Sequence, residues 1–324
     1  IKTRYPDALL KVMINPITKD LLEHNPHVDK IIPINKDDYN GLSGKLRLSN
    51  LIRKENFDVS IFLNPNVPFL VASFWGLVPV RLTIIPNFCT STFKFASFFV
   101  TNFEKHLAGR KVLETSLKLL EKIDIKNPSI SKEVYKSQKS DEIAQKIIGD
   151  IKKPLIGIAI TSGKKLKEMG PFKVAEIVNQ ILSKMDIYAV FVGSVDDINI
   201  FKTTLNLIDQ KSRVIDAVGK LNLKELPALI ERFSLFIGVD TGIVYMADAL
   251  SVPVINIAGP ANMDDQGPSG KDSIIIKKNI DCSPCSHVFR TPSTCINETR
   301  ECIESVSSEE VFTAANSILF HNRL

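Results

Sequence analysis

Apolar positions along this chain keep two rhythms in turn. Short continuous apolar runs alternate with longer stretches in which apolar residues recur every three or four positions, the marks of buried strands and of helices. "ALLKVMIN" (8–15), "VDKIIPI" and "FDVSIFLN" (57–64) read as strands, with helices in "ITKDLLEHN" and "LSNLIRKEN". Beyond residue 150 the alternation is cleaner. Strands fall at "PLIGIAI" (154–160), "DIYAVFVGS", "SRVIDAV", Phe233 to Val239 and Val252 to Ala258. Helices fall at "PFKVAEIVNQILSKM", "INIFKTTLNLI", "NLKELPALIERF" and directly after Asp240-Thr241-Gly242. Strands that are apolar throughout, separated by helices, predict parallel sheets covered on both faces. A helix over 107–123 and a polar stretch from Asn127 to Asp141 divide the chain. The expected fold is α/β, with two Rossmann-like domains at 1–150 and 151–324 facing a cleft. Ser307 to Glu310 reads as a capping box opening a terminal helix.

The 324 residues suit two domains better than one core. Basic minus acidic residues is 41 − 36 = +5, and the basic residues are scattered, which gives no reason to expect a nucleic-acid partner. Five cysteines are too few for a disulfide scaffold, and no signal-peptide pattern is present, so a cytoplasmic protein is expected. The uncharged run from Val59 to Val80 is broken by Asn64, Pro65, Asn66, Pro68 and Pro79, so it reads as strand, loop and helix rather than a membrane span.

Ligands of open parallel sheets bind beyond the carboxyl ends of the strands. Three such ends in the second half are polar. They are Thr161-Ser162-Gly163-Lys164-Lys165-Leu166-Lys167, Gly193-Ser194-Val195-Asp196-Asp197 and Asp240-Thr241-Gly242. Glycine admits a ligand to the backbone, free N–H groups at a helix start favour phosphate, and an acid suits ribose hydroxyls. Taken alone, Asp240 and Thr241 can equally be helix caps. Together the three ends favour a nucleotide. No G-x-G-x-x-G follows the first strand and no P-loop occurs, which argues against dinucleotide dehydrogenases and P-loop enzymes.

"FIGVDTGIVYMADALSVPVINIAGP", followed by "GPSG" and "CSPC", resembles glycosyltransferase family 9, the lipopolysaccharide heptosyltransferases. "KEMGPFKVAEIV" resembles that family's Lys-x-Trp-Pro segment, with Lys167 in the lysine position and Met169 where tryptophan stands. "RYPDALLKVMINPITKDLLEHNPHVDKIIPI" and "NFDVSIFLN" resemble its beginning. The resemblance implies a GT-B fold and inverting transfer of heptose from ADP-heptose to the lipopolysaccharide inner core. Another nucleotide sugar or acceptor, or a non-catalytic nucleotide-sugar-binding protein, are the alternatives. It implies that Asp240 meets the donor sugar, that Thr241 and Gly242 lie beside sugar and phosphate, and that Lys167 with Thr161 or Ser162 holds the diphosphate. Asp196 or Asp197 then meets the ribose, and Leu221 packs on the base. Tyr245 replaces the family's helix histidine and Asp248 one of its small residues. No metal or other cofactor is required. The acceptor is a lipid-anchored saccharide, implying peripheral contact with the cytoplasmic face of the inner membrane. The family opens with a strand and a Gly-Asp turn whose aspartate acts as acceptor base. "IKTRYPDALL" corresponds to the helix after that turn, so the first domain is expected without its first strand and the base outside these residues.

Cys282, Cys285, Cys295 and Cys302 form a cluster that suits a structural zinc, with His287 as spare ligand; the plainer reading is four small apolar thiols. Cys89 reads as filler. "STFKFASFFVTNF" (91–103) holds five phenylalanines and one lysine. A core helix is the simpler expectation and a lipid- or acceptor-facing patch the functional one. His106 reads as an ordinary satisfied histidine near the acceptor side.

Overall fold

The computed structural model describes residues 1–64, 66–87, 94–95, 97–128 and 130–321. In the first half, β1 (Lys11–Ile14) pairs in parallel with β2 (Lys30–Pro33). Separately, β3 (Val59–Phe62) pairs with β4 (Val80–Pro86), and β4 with β5 (Asn102–His106). The two sheets do not join. The carbonyls of Leu10 and Ile14 accept from β2 residues and their flanks, so the polar backbone of Lys11 and Met13 points the other way. The Asp58 carbonyl accepts from Val80, so Val59 and Ile61 likewise point away from β4. Both free rows line a cavity of about 1510 Å³, closed on its flanks by residues of the helices Gly41–Glu55, Val67–Trp75 and Val112–Glu121.

Two expected helices change character. "ITKDLLEHN" forms only a 3-10 turn, Pro16–Leu21, with no buried residue. Leu21 packs partly against a core cluster, but with no residue fully buried little offsets the entropy of a longer helix. The run 91–103 is not a core helix where it is described. Ser97–Phe99 is a 3-10 turn, and Asn102 onward pairs with β4. Phe95 and Phe98 are 62% and 79% exposed. Pairing with a buried neighbour strand has overridden the local phenylalanine pattern. Cys89, the residues 91–93 and residue 96 lie outside the described residues.

The second half is one six-stranded parallel sheet of β6 (Leu155–Ala159), β7 (Tyr188–Val192), β8 (Val214–Asp216), β9 (Leu235–Val239), β10 (Val254–Ile257) and β11 (Ile274–Ile276). Their order across the sheet is β11-β10-β9-β6-β7-β8. The chain winds outward from β6 in one direction and resumes at β9 in the other. The strand order therefore reverses between β6 and β9, which is where such sheets open a crevice for ligands. Both strands are buried at every residue. Their contact is so close that a Cβ on Gly157 would lie 2.5 Å from the Phe236 ring of β9. The helix Pro171–Lys184 buries Val174, Val178 and Ile181 in one core cluster with Val311 and Ala315 of the terminal helix Ser308–Asn316, whose capping box is formed. The helix Gln138–Ile148 puts Ala144 and Ile148 into the second half's other cluster, so the connector between the halves falls within 122–137. Among the described residues no helix is long and apolar enough to cross a membrane.

The split of the first sheet has a measurable consequence. Amide hydrogens that face the cavity lack a neighbouring strand, so those of Met13 and Ile61 should exchange at least ~10-fold faster than those of Ile158 and Ile237. Equal protection in a hydrogen-exchange experiment contradicts this.

Candidate functional site

The crevice between β6 and β9 is filled by one carboxylate network. Asp240 follows β9 and is 3% exposed. Lys167 Nζ forms an ion pair with its Oδ2, and the Tyr245 hydroxyl donates to its Oδ1. Gln266 Nε2 donates to both oxygens, at 3.1 and 2.9 Å. A charge removed from water needs such partners, and these arrive from three separate segments. Lys167 comes from the 3-10 turn Lys165–Lys167 beyond β6, Tyr245 from the helix Gly242–Ala249, and Gln266 from the short helix Met263–Gln266. Burial, and then the Asp240 charge, push the Tyr245 phenol far above its ordinary pKa, so it stays a donor.

Asp240 is therefore not a helix cap. The cap residue of Gly242–Ala249 is Thr241, through its backbone alone, for its side chain makes no capping bond. The helix start faces open space, since a Cβ on the exposed Gly242 would meet nothing within 4 Å. Uncapped N–H groups beside open space at a helix N-terminus suit an anion. The loop between β6 and Lys167 adds Lys164 and Lys165, both exposed.

The other strand ends are tied to this one. Ser162 Oγ donates to the Asp240 carbonyl at 3.3 Å, and Thr161 Oγ1 donates to Asp197 Oδ1 at 2.8 Å. Asp197 Oδ2 accepts from the Ser194 N–H at 2.7 Å and its hydroxyl at 2.8 Å, closing a capping box. Asp197 is thus committed to holding two loops together, whereas its neighbour Asp196 is exposed. Leu221 is half-buried against the second core cluster, on the loop fastened by the Gly219 N–H to the Gly193 carbonyl at 2.9 Å. Asp196 and Leu221 stand beside the network rather than in it.

Sequence reasoning gives no signal for Gln266, although it directly precedes the "GPSG" segment. Two further acids escape it as structural anchors. Asp248 is buried and accepts from the Ser269 N–H at 3.1 and 3.2 Å and from the Gly270 N–H at 2.6 Å, and it pairs with Lys132. Burial alone would raise its pKa, but Lys132 and the two N–H groups outweigh burial and hold it below the ordinary carboxylate range. Asp265, adjacent to Gln266, accepts from the Gly109 N–H at 2.6 Å and meets His287 Nδ1 at 3.1 Å. His106 is fully buried with Nδ1 3.0 Å from Thr115 Oγ1, and burial lowers its pKa; its Nε2 has no hydrogen-bond partner.

The cysteines Cys282, Cys285, Cys295 and Cys302 are all free. Cys302 is pushed up to about 11, first by burial and then by the other three thiols. Among the described residues no group of three or more His, Cys, Asp or Glu is arranged to hold a metal.

The sequence model described as glycosyltransferase family 9 (heptosyltransferase) matches residues 46–293. Lipopolysaccharide heptosyltransferase 3 of Escherichia coli (strain K12) is 24% identical over 272 residues, 80% of this chain and 76% of that protein. A crystal structure of the glycosyl transferase family 9 from Veillonella parvula DSM 2008 is similar with a TM-score of 0.80 at 20% identity, covering 99% of this chain and 91% of that one. The structure of E. coli ADP-heptose lps heptosyltransferase II gives 0.77 at 16% identity, covering 100% and 93%.

The network predicts unequal costs for its members. Lys167→Met leaves a carboxylate that is 2% exposed without its cation and should lower stability by about 3 kcal/mol. Tyr245→Phe removes one neutral donor and should cost about 1 kcal/mol. Denaturant unfolding of the two variants checks the order. A smaller loss for Lys167→Met than for Tyr245→Phe contradicts the ion-pair account.

Proposed function

Because the chain belongs to glycosyltransferase family 9 (heptosyltransferase), we propose that it transfers heptose from ADP-heptose to the lipopolysaccharide inner core by inverting displacement. The observation that carries this reading is the buried carboxylate of Asp240 at the switch point of a doubly wound sheet, clamped from three segments beside an open helix N-terminus. The choice of donor is supported by the likeness to E. coli ADP-heptose lps heptosyltransferase II, a protein whose name carries that nucleotide sugar.

The reaction separates charge. The acceptor hydroxyl gives its proton to a general base and its oxygen bonds to the anomeric carbon, while the bond to the diphosphate oxygen breaks and that electron pair leaves with ADP. Negative charge grows on the diphosphate, and positive charge grows on the sugar ring. Preorganised groups aimed at both lower the barrier. The N–H groups at Gly242 and the loop lysines Lys164 and Lys165 suit the diphosphate, with Thr161 and Ser162 as hydroxyls beside it. Asp240 suits the sugar and its growing positive charge. Since Lys167 is spent on Asp240, Lys164 and Lys165 are the cations free to move onto phosphate. Asp196, exposed where Asp197 is committed, suits the ribose, and Leu221 the base.

On the same reading a lipid-anchored acceptor lies against the first half. Phe95, Phe98, Phe99 and Phe74 form a chain of ring contacts at 5.4 to 6.0 Å. It continues into a recess lined by Leu46, Trp75 and Leu77, with Arg81 over the Phe74 ring at 5.4 Å. Exposed aromatics beside cations fit the interface of an anionic bilayer.

Two experiments test this. Asp240→Asn should reduce kcat/KM by about 10²-fold with ADP-heptose and heptose-deficient lipopolysaccharide, the scale of losing one preorganised electrostatic group. Transfer is read by mass spectrometry and folding by circular dichroism. Undiminished transfer by the variant removes Asp240 from the chemistry, and ADP-heptose binding without transfer by the unaltered chain favours a non-catalytic binder. For the membrane side, the chain should sediment with vesicles containing anionic phospholipid, and Phe98→Asp should release it. Equal sedimentation of the two forms assigns membrane contact elsewhere.

A further inference from the structure

Asp248 is a buried acid that makes no hydrogen bond to Asp240, Lys167, Tyr245 or Gln266, although its charge reaches Tyr245, three residues before it on the same helix. Its side chain is 1% exposed, and it is met from two directions. From one side come the N–H groups of Ser269 and Gly270, in the loop directly after Gln266. From the other comes Lys132, in the connector between the halves. The fit is close. A Cβ on Gly270 would stand 2.8 Å from Asp248 Oδ1, so any larger residue would make the carboxylate or the loop shift. Between this anchor and Gln266 lie only Gly267 and Pro268. The Gly267 N–H is bonded back to Met263 at 2.8 Å. Little slack remains in which Gln266 can shift independently of the loop.

We propose that Asp248 is a positioning residue for the donor site: it pins the loop 267–270, thereby fixes Gln266 against Asp240, and through Lys132 makes that fit depend on the connector between the halves. This rests on the donor-site reading of Asp240. A purely structural pair differs in a testable way. Buried ion pairs are commonly replaceable with little effect beyond stability, so such a pair leaves donor use untouched once the protein is folded. A positioning pair does not, because displacement of a group holding the reacting sugar costs rate out of proportion to stability.

The test uses Asp248→Asn, and Lys132→Met as the variant on the more exposed side of the pair, in case the first folds poorly. Four quantities are read on the full chain: amide exchange at Gln266, Gly267, Ser269 and Gly270, the dissociation constant for ADP, and kcat and KM for ADP-heptose. Both variants should speed exchange at Ser269 and Gly270 and lower kcat/KM by about 10- to 10²-fold. The double variant should be no worse than the worse single one, since both changes break one pair. Gly270→Ala, which pushes on the carboxylate, should act in the same direction. Unchanged exchange, or faster exchange with unchanged kcat and KM, overturns the proposal and leaves the donor site intact. An unaltered chain that binds neither ADP nor ADP-heptose instead overturns the donor-site reading, and this proposal with it.

Discussion

A carboxylate at the end of a strand buried on both faces is the constraint from which the rest of the second half follows. β9 brings Asp240 to the sheet's switch point with almost no access to water. Its charge has to be balanced by protein donors, and no single element carries enough of them. The loop after β6 must therefore turn so that Lys167 enters, the next helix must present Tyr245, and the turn after β10 must return Gln266. One acid thereby fixes the mutual placement of three loops, the same loops that face the open helix start. The architecture that stabilises the charge is also the one that leaves the helix start at Gly242 open beside it.

The second and third strand ends are bound into this arrangement by smaller links. Asp197 takes Thr161 from one loop and Ser194 from its own, so loops that would otherwise move independently share a carboxylate. This is why two neighbouring aspartates in the same turn have different chemical availability. One is held by three donors, and the other is presented to solvent.

Much of this is legible in the amino-acid sequence, and unevenly so. The second half's strands read well because β6 and β9 are buried at every position, giving continuous apolar runs with polar ends. Asp240 is visible as one such end. Lys167 stands out through family resemblance, not spacing, and its partner is not foreseeable. Gln266 and Lys132 are illegible because they meet Asp240 and Asp248 across separations of 26 and 116 residues. Such contacts are set by strand order, which hydrophobic rhythm does not encode. In the first half, β5 is hidden inside a phenylalanine run whose composition suits a buried helix equally well. Only its pairing with β4 decides the matter.

Asp265 and Gln266 are consecutive residues of one short helix, yet they serve different bodies. Gln266 turns to Asp240, and Asp265 to the Gly109 N–H of the first half. Asp265 has no exposure at all, so parting the halves takes away the Gly109 N–H and leaves His287 as its partner unless water follows it in. The link between the halves at this point is therefore a hydrogen bond from Gly109 to a buried carboxylate, one that hydration weakens.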